Sequence, residues 1–153
     1  MTKEVKNYIY LCEKIENEDF RKRVKNSFAY YIKNANFYKY VGMILSIFGI
    51  VLPALATILT ACDADMVSIA CVTSTATVAS GIFAYLKCSD KQETYRKAAE
   101  NMKRELVAYA AEQSNYEKGS EKDKILFERI ENIIQNGYDR IAELDKESEK
   151  SEN

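Results

Sequence analysis

Two long stretches without a charged residue constrain this chain more than any other feature: 40–62, YVGMILSIFGIVLPALATILTAC, and 66–86, MVSIACVTSTATVASGIFAYL. Only Asp63-Ala64-Asp65 separates them. At about 1.5 Å rise per residue, each run makes a helix of roughly 30 Å, the thickness of a bilayer's hydrocarbon core. Backbone groups in lipid must satisfy one another, and a helix does this internally. The expectation is therefore an all-α membrane protein. Its transmembrane hairpin comprises 40–86, with spans 40–62 and 66–86 and an outer turn at 63–65. The soluble alternative, two greasy central helices in a bundle, needs apolar cover on every side. The remaining chain is short and charged, with one apolar face per helix, and offers too little of it.

Charge placement supplies an orientation. Arg21, Lys22, Arg23, Lys25, Lys33 and Lys39 precede the first span, and Lys87, Lys91, Arg96, Lys97, Lys103 and Arg104 follow the second. The turn carries two aspartates and no lysine or arginine. The positive-inside rule then predicts a multi-pass protein of the cell's inner (plasma) membrane with both termini cytoplasmic. Tyr38, Tyr40 and Tyr85 fall where an inner aromatic belt is expected. The N-terminal stretch is charged throughout and has no apolar signal-peptide core, so the first span is expected to act as its own insertion signal. A formal net charge of -1 predicts no general attraction to nucleic acid.

Composition also limits the chemistry. The chain has no histidine, which removes imidazole acid–base catalysis, Ser-His or Cys-His nucleophile pairs and the common zinc sites. Cys12, Cys62, Cys71 and Cys88 show no metal-ligand spacing and read as free thiols that pack as small apolar groups. The carboxylates sit beside lysines and arginines on solvated helix faces. Neither enzyme activity nor a cofactor or metal is expected.

Outside the spans, the apolar residues recur at helical spacing. Residues 1–39 predict cytoplasmic helices: Val5, Tyr8, Ile9, Cys12 and Ile15 first, then a restart at Asn17 as N-cap. Val24, Phe28, Tyr31, Ala35 and Tyr38 form the next stripe, on a helix expected to run on into the membrane. Residues 87–145 predict the C-terminal helices, after a bend at Lys87-Cys88-Ser89-Asp90. Tyr95, Ala99, Met102, Leu106, Tyr109 and Tyr116 trace a nearly coiled-coil seam. A turn is expected at Lys118-Gly119-Ser120, with Ser120 and Asp123 as a capping box. Phe127, Ile130, Ile134, Tyr138, Ile141 and Leu144 mark the last helix, with Gly137 as a weak point. The charged stretch 146–153 is expected to be disordered.

Three features of the hairpin bear on function. Pro53, the only proline, lies mid-span, as a tolerated kink or as a gating hinge. Asp63 and Asp65 would line an outer mouth that concentrates cations, although helix capping alone explains Asp65. On the second span, Ala70, Thr73, Ser74, Thr77, Ser80 and Gly81 gather on one side at about 100° per residue. Val67, Cys71, Val78, Ile82 and Leu86 take the other side. The polar side is either a close-packing surface, with Thr73, Thr77 and Gly81 as a small-residue ladder, or the lining of a water-filled path. A lone hairpin encloses no pore, so the second option requires a homo-oligomer in the lipid bilayer. Thr73, Thr77, Ser80 and Gly81 are then pore-lining. Met102, Leu106 and Tyr109 are the expected assembly contacts. No charged residue lies within either span, which argues against a proton relay or a coupled transporter.

The order of parts, and the segments TYRKAAENMKRELVAYAAEQSNYE and LFERIENII, resemble the SLATT family of two-transmembrane domains. The resemblance spans about 19–134 and rests on the aromatic Tyr95, the following Ala-Glu-x-x-Lys run, Tyr109 and Tyr116. It implies a pore-forming effector in a bacterial anti-phage conflict or stress system that responds to a nucleotide signal. This chain carries no sensor domain, so a separate nucleotide-signalling protein would be its partner. The resemblance transfers no catalytic residue. The other reading is a non-conducting membrane-anchored scaffold or sensor; a phage-type holin leaves the long flanking helices unexplained.

Overall fold

A computed structural model of the protein describes residues 3–113, 116 and 121–150. Every regular element among these is a helix: α1 (Lys3–Cys12), α2 (Glu18–Ala61), α3 (Met66–Leu86), α4 (Cys88–Ala110) and α5 (Lys122–Lys150). The Val5 side chain and the turn and capping box expected at 118–120 lie outside the described residues.

α2 begins where the sequence predicts. Asn17 is its N-cap, and its side chain accepts the Phe20 N–H at 3.0 Å, with Glu18 and Asp19 in the positive first turn. The helix then runs 44 residues without interruption, about 66 Å, and its assignment continues straight through Pro53. Along this length one heptad seam persists. Phe28, Ala35, Gly42, Gly49 and Ala56 recur every seventh residue, and Tyr31, Tyr38, Leu45, Leu52 and Leu59 form the companion line. All of these are buried or half-buried.

The two helices that follow share this seam. α3 turns Ile69, Val72, Ala76, Ala79, Phe83 and Leu86 to the upper half of α2. α4 turns Cys88, Lys91, Tyr95, Ala98 and Met102 to the lower half. Seam positions step by three or four residues within each helix but by only two between Leu86 and Cys88. Lys87 absorbs the phase slip by adopting the left-handed conformation, φ 44° and ψ 45°. The bend expected at 87–90 is therefore a single-residue elbow. Gly42 faces it across the seam, where an added Cβ would lie 3.1 Å from Cys88 Cβ.

Below the elbow, α1, the first half of α2, α4 and α5 form a compact bundle. Its core includes Tyr8, Cys12, Val24, Phe28, Tyr31, Met102, Leu106, Leu126 and Ile130. Tyr8 stacks on Phe28 with ring centroids 3.4 Å apart. Lys14 Nζ donates to Ala110 O at 3.0 Å, a cation placed on the carbonyl end of α4. Burial pushes the Cys12 thiol up to about 11, in keeping with an inert packing group.

α5 departs from its expected stripe. Phe127 and Tyr138 are 44% and 49% exposed, whereas Leu126, Ile130, Ile134 and Leu144 face the core. Gly137 sets this rotation. The Tyr31 ring lies against its backbone, and a Cβ there would come 2.7 Å from Tyr31 Oη. The weak point is thus a contact that only glycine allows. α5 also runs to Lys150 through a stretch expected to be disordered, because Leu144 is buried and Glu147 reaches Lys87.

Candidate functional site

The apolar hairpin is the part of the fold that the protein leaves uncovered. Only 6% of the most apolar stretch of either helix is buried, so these are not the covered central helices of a bundle. Among the described residues, two helices are long and apolar enough to cross a membrane.

α2 and α3 meet through small residues. Ala56 and Ala76 are the buried positions, and a Cβ on Gly49 would lie 3.9 Å from Ser80 Oγ. The sides of the hairpin then follow from helix geometry. On α2, Ser46, Pro53, Thr57 and Thr60 lie about a quarter-turn beyond the seam in the N-to-C sense, as do Thr73, Thr77 and Ser80 on α3. Because the helices are antiparallel, equal rotations in that sense bring both sets to the same side. The Gly49–Ser80 approach marks that edge. The opposite side carries Ile44, Phe48, Val51, Leu55 and Ile58 from α2, with Cys71, Thr75, Val78, Ile82 and Tyr85 from α3.

One side is consequently rich in hydroxyls, with Met66 (86% exposed) and Ile50 (73%) as its large apolar residues, and the other is apolar apart from Thr75 and Tyr85. Thr73, Thr77 and Ser80 are all exposed, and of the three Ser80 borders α2, at Gly49. Gly81 points directly away from α2, and nothing lies within 4 Å of its would-be Cβ. The threonine protons are already engaged. Thr57 Oγ1 donates to Pro53 O at 3.0 Å, Thr73 to Ile69 O at 3.0 Å and Thr77 to Thr73 O at 3.0 Å. The outward lone pairs make this surface an acceptor surface. Pro53 lies on the same side, and its missing N–H leaves the Gly49 carbonyl without its intrahelical donor.

Both turn aspartates have local roles. Asp63 adopts the left-handed conformation (φ 51°) in a Schellman ending of α2, where Ala64 N–H reaches Leu59 O at 3.0 Å and Asp63 N–H reaches Thr60 O at 3.3 Å. Asp65 caps α3 by accepting the Ser68 N–H at 3.0 Å and the Ser68 hydroxyl at 2.7 Å. These two bonds hold its carboxyl below the usual range. At the other end Tyr40 and Tyr85 are 60% and 42% exposed beside the elbow.

Met102, Leu106 and Tyr109 are not available as contacts between copies. They are 0%, 0% and 4% exposed inside the bundle of a single chain. The amphipathic stripes that called for further partners cover one another instead. Tyr109 donates to Asp123 Oδ1 at 2.5 Å and Tyr116 to Glu105 Oε2 at 2.6 Å, which ties Tyr116 to α4. Arg129 Nη1 completes that cluster, 3.1 Å from Glu105. The sequence reading missed the α2 members of the hydroxyl side, Ser46, Thr57 and Thr60. The seven-residue repeat of Gly42, Gly49 and Ala56 is the signal that locates the seam, and with it that side.

Residues 22–124 match the family described as a protein of unknown function, DUF4231, and the chain belongs to that family. No curated protein and no solved structure matches the chain.

Proposed function

We propose that this DUF4231 protein is a non-enzymatic membrane protein whose hairpins assemble as a homo-oligomer around a narrow water-filled path. One observation carries the reading: the hairpin has a hydroxyl side built by both helices and an apolar side opposite. In lipid, the apolar side suits the acyl chains, and the hydroxyl side suits water or a second copy. Both spans, not the second alone, then contribute lining groups: Ser46 and Thr57 with Thr73, Thr77 and Ser80. Pro53 lies on this side as the hinge, and Asp63 and Asp65 ring the outer mouth. The basic residues flanking the hairpin support an inner-membrane orientation with both termini cytoplasmic. The matched stretch, 22–124, overlaps the segment that resembles the SLATT family. On that resemblance the protein is an effector in a bacterial conflict system, triggered by a separate nucleotide-signalling partner.

The test is ion flux from liposomes containing the purified full-length protein. Thr77→Leu with Ser80→Leu is expected to abolish flux, and Val78→Ala with Ile82→Ala on the opposite side to preserve it. Equal flux from all three proteins overturns the lining assignment. A membrane-anchored scaffold is the second reading, favoured by the threonine protons already satisfied within their own helices. It predicts no flux, and full function after the spans are exchanged for unrelated apolar helices.

A further inference from the structure

Two connections join hairpin and bundle, the continuous α2 and the elbow, and the elbow rests on an unfavourable residue conformation. Lys87 occupies the left-handed region, which a side chain with a Cβ adopts at a cost that glycine avoids. No cap side chain bonds the start of α4 at this position. What surrounds the joint is the end of α5. Lys87 Nζ lies 2.6 Å from Glu147 Oε2, and Lys91 Nζ lies 2.6 Å from Asp145 Oδ1. Lys91 is 7% exposed and its ammonium also sits over the Tyr38 ring at 5.6 Å, while Tyr38 stacks on Tyr95. Leu144, one turn earlier on α5, is buried, and Ser148 is buried while donating to Leu144 O at 2.9 Å.

We propose that the last two turns of α5 form a strap that clasps the elbow and holds Lys87 in its left-handed conformation. The weight falls on the Lys91 pair. An exposed pair such as Lys87–Glu147 contributes little alone, but removing Asp145 leaves a buried ammonium without its counter-charge. With the strap released, the residue that re-phases α3 against α4 loses its restraint, and α3 becomes free to shift its register along the continuous α2. The inference does not rest on conduction, since its readout is local backbone protection.

The experiment is hydrogen–deuterium exchange on the full-length protein in detergent micelles. Asp145→Asn with Glu147→Gln is expected to speed exchange at 87–92 by roughly tenfold or more, with 102–109 unchanged. Charge exchange at the Lys91 pair provides the second arm: Lys91→Glu accelerates the elbow, and adding Asp145→Lys restores protection. Unchanged exchange at 87–92 in the neutralised protein overturns the strap. So does equal acceleration at 87–92 and 102–109, which reports loss of the whole bundle.

Discussion

Replacing Gly137 by alanine sets two effects of opposite sign against each other, and the structure decides between them. On a solvent-facing helical site the change gains about 1 kcal/mol of helix propensity. Here the new Cβ would meet Tyr31 Oη at 2.7 Å, Cε1 at 3.2 Å and Cζ at 3.3 Å. The ring has little room to retreat. Tyr31 is fully buried, its hydroxyl donates to Ile134 O at 3.1 Å, and the rings of Tyr30, Tyr95 and Tyr138 pack around it. Overpacking costs about 1–3 kcal/mol, and a lost buried hydrogen bond costs about 1 kcal/mol more. The expected net effect of Gly137→Ala is a destabilisation of about 1–3 kcal/mol. For a chain of this size that lowers Tm by about 2–10 °C. Thermal unfolding in detergent, followed by tyrosine near-ultraviolet dichroism, measures it. Combining Gly137→Ala with Tyr31→Phe removes the nearest clashing atom, so the pair should lose less than the sum of the single changes. A rise in Tm for Gly137→Ala alone would refute the close contact and return Gly137 to an ordinary weak point.

Glu112 ends α4 in the left-handed conformation (φ 51°), with Gln113 N–H on Ala108 O at 3.0 Å. Glu112→Gly is therefore expected to stabilise by about 0.5–1 kcal/mol in the same melt, and Glu112→Ala to give no gain. Tyr8, Tyr31, Tyr95, Tyr109 and Tyr116 are all held above the ordinary tyrosine range, in each case chiefly by burial. Their neutral forms are favoured by folding, so this contribution is complete below about pH 10 and is lost as pH rises above it. Denaturant midpoints should fall steeply from pH 10 upward, and Tyr116→Phe should flatten that slope; a pH-independent midpoint would show that the buried hydroxyls ionise freely.

Much of this architecture was legible because it rests on local chemistry. Charge-free length gave two helices capable of spanning a membrane, and Asn17 and Asp65 announced helix starts that the hydrogen bonds bear out. The stripe from Val24 to Tyr38 is plain in the sequence, and its continuation is not. The same register continues through Gly42, Gly49 and Ala56, where small residues blend into an apolar run and periodicity loses contrast. The face of α5 is not legible at Phe127 and Tyr138, whose size suggests a core position although both are exposed. Which side of a helix is buried depends on what it meets, and Gly137 meets a tyrosine from 106 residues earlier. Long-range ion pairs were likewise invisible: nothing in a run of alternating charges marks Glu147 as the partner of Lys87.

The uninterrupted register of α2 fixes an angular relation as well as a connection. Because a single helix serves both bundle and hairpin, the bundle's azimuth about the helix axis is set by a residue count. One residue added between Tyr38 and Leu45 would turn the hydroxyl side by about 100° relative to the bundle, and seven would return it nearly to its starting direction one notch higher. Length variation in this helix is thus quantised. Change by sevens preserves the molecule's facing, and any other change makes it look a different way.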